Sequence, residues 1–383
     1  MSDVFLSAPE PKTDLGRYRI LSSTAGVRVS PLALGGMSFG TAWSQSMGSV
    51  DQDQTFKILD TYYEAGGNFI DTANNYQNEQ SEVFIGKWMA DRGNRDLIFL
   101  ATKFTYNYRM WELGGGKSVN YSGNSKKSLH LSVHDSLRKL QTSYIDLLYV
   151  HWWDWTTSIE ELMDSLHILV EQGKVLYLGA SDTPAWVVSA ANVYARDHGK
   201  TPFSVYQGRW NVMARDFERD IIPMARHFGM ALCPWDVLGG GKLQTKKQVE
   251  ARQKAGEGLR LLTGAGQTED EQRASAALEK VASAHDIESI QQIALAYVMR
   301  KASNVFPLVG GRKVEHLQDN IKALKIRLTD EQVAYIDSVK PFDIGFPLNV
   351  MGDDPKVTGA VPALAAAFAH ISFQKAPKPV GYE

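Results

Sequence analysis

The sequence predicts an α/β protein folded as a (β/α)8 barrel. Two observations carry that expectation. Short apolar runs alternate with amphipathic helical patterns along the chain, and run after run closes on a polar or ionisable residue.

The apolar runs come first. They stand at 32–37, 68–73, 97–104, 145–152, 175–181, 204–210, 230–235 and 305–310. Most are short and continuous, the pattern of strands buried on both faces of a parallel sheet. Helical patterns fall between them at 128–140, 158–172, 184–198, 217–228, 289–301 and 314–324. In the first of these, Leu129, Val133, Leu137 and Leu140 share one face. The second opens on Ser158 with Glu161 three residues later, a capping-box spacing, and stops at Gly173. A doubly wound open sheet alternates in the same way, so the count alone leaves both architectures open. The run ends favour the barrel. Asp71, Lys103, His151, Ser181, Gln207, Asp236 and Arg312 close successive runs or follow them, and in a barrel such ends converge on one mouth.

Composition narrows the function. The 383 residues carry 41 basic and 43 acidic side chains, a formal charge of −2. A nucleic-acid partner is not expected from so even a balance. The 44 % hydrophobic and 22 % charged fractions are those of an ordinary globular protein. A single cysteine, Cys233, excludes an internal disulfide framework and a structural cysteine-based zinc site, and no metal is expected. No apolar run approaches the roughly 18–20 residues that span a bilayer. The N-terminal stretch is polar and lacks the basic-then-apolar plan of a secretory signal, so the expected location is cytoplasmic.

Asp71, Tyr76, Lys103 and His151 form the candidate catalytic set. A free tyrosine has a pKa of about 10, too high for an efficient acid at neutral pH. An ammonium at Lys103 would favour the phenolate of Tyr76, and Asp71 would keep Lys103 charged and oriented. His151 could donate to a carbonyl oxygen or help relay the proton. Together they would act as a general acid for an oxygen that gains charge.

At these residues the sequence resembles the aldo-keto reductases. The stretches are Phe69 to Ala73 followed by Tyr76, Ala101 to Lys103, and Ile145 to His151, with Gly173 to Val175 leading to Gly179–Ser181. Pro307 to Gly310, leading to Leu317 and Asn320, completes them, so the likeness runs over about residues 15–345. Within that family it is most similar to the fungal aryl-alcohol dehydrogenases, through Gly66 to Asn74, His134 to Leu140, Ser181 to Val188 and Val309 to Leu317.

The resemblance implies reversible carbonyl reduction with NADPH/NADP+, Tyr76 as proton donor, Lys103 and Asp71 as its tuning pair and His151 as substrate-orienting group. It also implies that Ser181, Asp182 and Gln207 hold the nicotinamide carboxamide, that Asp71 belongs to the cofactor site, and that Trp235 stacks on the nicotinamide ring. Many family members have Asn where this chain has Asp182. Asp236, Val237, Leu238, Gly239, Gly240, Gly241 and Lys242 match the pyrophosphate loop. Gly310, Gly311, Arg312 and Lys313 open a helix at the 2′-phosphate, His316 stands where relatives often have Arg or Gln, and Asp319 and Asn320 match the adenine-contacting pair. A dinucleotide site of the Rossmann type is not supported, because no strand-associated G-x-G-x-x-G with an acidic partner occurs.

Trp43, Tyr106, Tyr108, Trp111, Trp152, Trp153 and Trp155 fall in loops or strand ends near the expected mouth. Trp43, Trp111, Trp152 and His151 are the substrate candidates, because aromatic faces suit an aryl ring. The Gly/Ser-rich stretch 106–126 reads as either a lid or an unstructured loop. The expected organisation is one barrel domain over 1–345 with a C-terminal extension over 346–383. That extension could cover the mouth, bind a neighbour or hang free. The leading expectation is reduction of aromatic aldehydes to benzylic alcohols. The alternatives are an aryl-ketone reductase of a fungal polyketide pathway and an NADPH-binding regulatory subunit. Monomer and homodimer both stay open.

Overall fold

Eight strands form one parallel sheet: β1 (Ala33–Gly35), β2 (Phe69–Asp71), β3 (Phe99–Phe104), β4 (Ile145–Val150), β5 (Val175–Ser181), β6 (Phe203–Arg209), β7 (Ala231–Trp235) and β8 (Leu308–Val309). The computed structural model describes residues 7–254 and 266–382. The first six residues of the polar N-terminal stretch lie outside the described residues. The strands lie in the order β8-β1-β2-β3-β4-β5-β6-β7, and a parallel bridge between Leu232 and Val305 brings the two edges together. The fold is the (β/α)8 barrel.

The pleat explains why the core and the mouth share the same strands. Alternate residues point inward, and Phe69, Phe99, Ala101, Leu147, Tyr149, Val205, Ala231, Cys233 and Phe306 pack into one buried cluster. Two residues further along the same inward rows stand Asp71, Lys103, His151, Gln207 and Trp235. A hairpin of Arg19–Ser22 with Ala25–Val29 stoppers the opposite end, placing Leu21, Ala25 and Val29 in that cluster. The sequence reading assigns no strands there, because runs of four and five residues give too little alternation to detect.

Helices Gln52–Glu64, Gln80–Arg92, Lys126–Lys139, Ile159–Glu171, Ala185–Asp197, Ile221–Phe228, Glu269–Ala284, Ile290–Lys301, Val314–Lys322 and Asp330–Val339 surround or flank the sheet. The first two, with Glu269–Ala284 and Asp330–Val339, are absent from the sequence reading. Three of these four starts are chemically marked all the same: Asp51 accepts from Gln54 N–H, and Thr268 and Thr329 form capping boxes with Glu271 and Gln332, while Gln80 follows a left-handed Glu79 that makes no side-chain cap.

Several expected bounds move. The run 97–104 begins as a 3-10 turn over Arg95–Leu97 before β3, and β4 stops at Val150, one residue short of His151. The run 305–310 keeps only Leu308–Val309 as strand. Ser158 caps its helix by accepting from Glu161 N–H, but the Glu161 carboxylate accepts from Lys126 N–H at 3.0 Å instead of closing a box. That carboxylate therefore ties one helix start to the next.

After the last long helix the chain runs down the outside. Arg219 donates to the carbonyls of Asp343 and Ile344, and Arg226 pairs with Asp354 at 3.4 Å. Farther on, Ser303 donates to the Pro377 carbonyl, and the Tyr382 hydroxyl accepts from Leu328 N–H at 3.0 Å. Ser303 precedes β8, so residues 377–382 lie at the stoppered end and not over the mouth. Among the described residues, no helix is long and apolar enough to cross a membrane.

Candidate active site

Asp71 ends β2 and Lys103 lies near the end of the neighbouring β3, both on inward rows. Lys103 Nζ stands 2.5 Å from Asp71 Oδ1, donates to the Thr72 carbonyl at 2.7 Å and reaches the Tyr76 hydroxyl at 3.4 Å. Gln207, from β6, donates to the second Asp71 oxygen at 2.9 Å. Tyr76 sits just past β2, with its ring edge-on to His151 at 5.8 Å between centroids. The four residues chosen from the sequence as a catalytic set do come together.

Burial alone would strip Lys103 of its proton. The Asp71 carboxylate, and Tyr76 after it, more than offset that and hold the ammonium above its ordinary value. Burial pushes the Asp71 carboxyl up, while Lys103 and the Gln207 amide pull it back. For Tyr76 the outcome differs from the sequence expectation. Lys103 does pull the phenol toward ionisation, but desolvation of the hydroxyl outweighs it and Asp71 adds to the upward push. Tyr76 is therefore a firmly protonated donor in the ligand-free chain. Burial, then the Lys103 charge, drive His151 well below its ordinary value, which leaves a neutral imidazole. Its Nδ1 is buried without a hydrogen-bond partner among the described residues.

An aromatic rim borders this set. Trp43 meets Tyr76 edge-on at 6.3 Å, and its indole N–H donates to Asn78 at 2.9 Å. On the other side Tyr106 meets His151 at 4.7 Å and Trp152 at 5.8 Å. Tyr106, one of the aromatics expected near the mouth, thus links the substrate candidates His151 and Trp152. Trp111 sits exposed in the short helix Met110–Leu113, outside this chain of rings. Tyr108 and Trp153 are core residues, and Trp155 pairs with Trp186 on the surface. Stretch 106–126 is a built loop. The Asn107 amide donates to Ser118, Ser118 donates to Gly114, and Tyr108 donates to Asp135.

Around the rest of the mouth, Ser181 is buried at the end of β5, and Asp182 N–H donates to the Gln207 carbonyl. Asp182 has a left-handed φ of 40°, and its carboxylate accepts from the Trp235 indole at 3.1 Å. Desolvation pushes that carboxyl up to about 6, with Trp235 and Lys103 opposing. Asp236 pairs with Arg209 at 2.8 Å, while Val237 and Leu238 turn their side chains to the core. Gly239, Gly240 and Gly241 follow with φ of 59°, 62° and 87°, a left-handed run that side chains would strain. Lys242 pairs with Glu271 at 3.3 Å.

Gly310 and Gly311 lead to Arg312, whose guanidinium lies where a Cβ on Gly48 would be, and Lys313 precedes helix Val314–Lys322. His316 stands against Gly311. Asp319 accepts from Gln292 at 2.7 Å and Ser289 at 2.5 Å, so both its oxygens brace the preceding helix, and Asn320 is buried beside it.

A barrel with an Asp–Lys–Tyr–His cluster at its mouth has the architecture of a carbonyl-handling oxidoreductase. Residues 31–341 match the model of the aldo/keto reductase family, and the chain belongs to that family. It is 65 % identical over 374 residues to a Saccharomyces cerevisiae protein named as an aryl-alcohol dehydrogenase, AAD14, covering 97 % of this chain and 100 % of the other. It is 54 % identical to the aryl-alcohol dehydrogenase [NADP(+)] of Phanerodontia chrysosporium, covering 92 % and 93 % of the two chains. The norsolorinic acid reductase of Aspergillus flavus is also 54 % identical, over 92 % of this chain and 88 % of its own.

Proposed function

We propose that this oxidoreductase reduces aromatic aldehydes to benzylic alcohols, reversibly and with NADPH. The observation that carries the reading is the Tyr76 hydroxyl held 3.4 Å from a buried ammonium beneath a rim of aromatic rings. The name of the Phanerodontia chrysosporium relative supports both the aryl substrate and the cofactor.

The residues present fit a dinucleotide. Gly239–Gly241 leave a stretch of backbone bare of side chains at the end of β7, and Arg312 and Lys313 stand at the start of a helix, a combination suited to phosphate. In this reading Ser181, Asp182, Gln207 and Trp235 hold the nicotinamide, Asp236–Lys242 the pyrophosphate, Gly310–Lys313 and His316 the 2′-phosphate, and Asp319 with Asn320 the adenine. When bound, NADPH supplies the hydride. Everything else falls to the chain. Tyr76 gives its proton to the carbonyl oxygen, and Lys103 then faces the phenolate left behind. Asp71 and Gln207 keep Lys103 in place, so the charge shift needs little reorganisation. Neutral His151 orients the carbonyl without competing for the proton. Trp43, Tyr106 and Trp152 flank the aryl ring, and Trp111 closes over it only if its helix moves inward. Residues 1–345 form the catalytic unit, and 346–383 an appended segment.

The norsolorinic acid reductase relative supports a second reading, an aryl-ketone reductase of a polyketide pathway. Purified protein incubated with NADPH or NADH against substituted benzaldehydes and aryl ketones tests both. NADPH consumption with the aldehydes is the expected result, and consumption with ketones alone would favour the second reading. No turnover with any benzaldehyde contradicts the first.

A further inference from the structure

Lys139 ends the helix Lys126–Lys139 and is only 5 % exposed. Its ammonium stands 2.7 Å from Glu82 and 3.0 Å from Glu79, and donates to the Asn74 carbonyl at 3.1 Å. Asn74 and Glu79 bracket Tyr76 in the chain. Glu82, itself fully buried, accepts from the Thr102 hydroxyl at 2.6 Å, and Thr102 adjoins Lys103. One buried charge cluster therefore touches both sides of the Tyr76 turn and the strand that carries its partner. Gly86 makes the approach possible, since a Cβ there would come within 2.3 Å of the Lys139 carbonyl oxygen.

The turn needs such a hold. Gln77, Asn78 and Glu79 have φ of 53°, 50° and 76°, three side-chain-bearing residues in succession in the left-handed region. Such a run persists only where its surroundings over-determine it. Gln77 is held by Met37 and Trp43, Asn78 by the Trp43 indole, and Glu79 by Lys139. Apolar side chains could fill the same space without the cost of desolvating three charges, so packing alone does not account for the cluster.

We propose that Lys139 is a positioning residue that sets the Tyr76 hydroxyl against Lys103, acting through Asn74 and Glu79 without touching substrate. This rests on the reading of Tyr76 as proton donor. The test is steady-state kinetics of Lys139→Met and Glu79→Gln in the full chain, with rates expressed per folded enzyme from near-UV circular dichroism. Both variants are expected to lose about tenfold or more in kcat, with the KM for benzaldehyde and the Kd for NADPH within about twofold. A merely structural role predicts a lower melting temperature with an unchanged kcat in the folded fraction. Glu79→Gln decides the matter if Lys139→Met does not fold. Tyr76→Phe run alongside separates two failures. If it retains the parent rate, the reading of Tyr76 fails. If it loses the rate while both other variants keep kcat within twofold, the positioning role is overturned.

Discussion

Lys103 and Asp71 meet 2.5 Å apart with side chains 0 % and 2 % exposed, so each is the main compensation for the other's buried charge. Removing one partner leaves the other stranded. Lys103→Met is expected to cost about 3–5 kcal/mol of stability in urea titrations. Adding Asp71→Asn should recover much of that loss without recovering activity. A single variant as stable as the parent would show that the pair contributes nothing to the fold.

Asp182 offers a pH signature. Its folded value of about 6 lies above the roughly 3.9 of an unfolded chain, so the folded state holds the proton more tightly. The associated stability is full below about 3.9 and is lost as pH rises through about 6. Part of Asp182 stays open to solvent beside its desolvated carboxyl, and screening keeps the effect to about 1 kcal/mol or less. Asp182→Asn should therefore gain melting temperature relative to the parent between pH 4.5 and 7.5. An equal difference at both pH values contradicts this.

His151 titrates with the opposite sense. Its folded value lies well below 6.5, so the stability tied to the neutral ring is present above about 6.5 and declines as pH falls below it. An NMR titration is expected to find the His151 imidazole still neutral at pH 6. A protonated ring at pH 6 would mean that burial and Lys103 exert no such pressure.

Gly179 lies against the Tyr149 ring, where a Cβ would come within 2.5 Å of Cδ1. Gly179→Ala should cost about 1–3 kcal/mol in urea, with Tyr149→Phe giving no relief because the ring itself is in the way. Tyr149→Leu in the alanine background should recover part of it. Full stability in Gly179→Ala would show that the strand can shift.

The barrel and the tetrad were legible in the sequence for one physical reason. Inward rows such as Phe69-x-Asp71 and Ala101-x-Lys103 carry core and mouth residues in the same period of two. Features made by distant partners were not. Lys139 reads as a surface lysine at a helix end, and only its place beyond Ser128, Ser132 and Ser136, a buried stripe, hints otherwise. Tyr106 is one of seven aromatics expected near the mouth, and residue order does not single it out as the ring that bridges His151 and Trp152. The left-handed run after Tyr76 has no glycine to announce it. The upward shift of Tyr76 depends on desolvation, which residue order does not record.

The central claim is that Tyr76 donates the proton. Single-turnover reduction of benzaldehyde by Tyr76→Phe, followed by NADPH fluorescence, tests it most directly. The hydroxyl is lost while the ring that packs between Trp43 and His151 stays. The rate should fall by about 10²–10⁴-fold with NADPH affinity unchanged. A rate within a few-fold of the parent would contradict the assignment and move the proton to another group at the mouth.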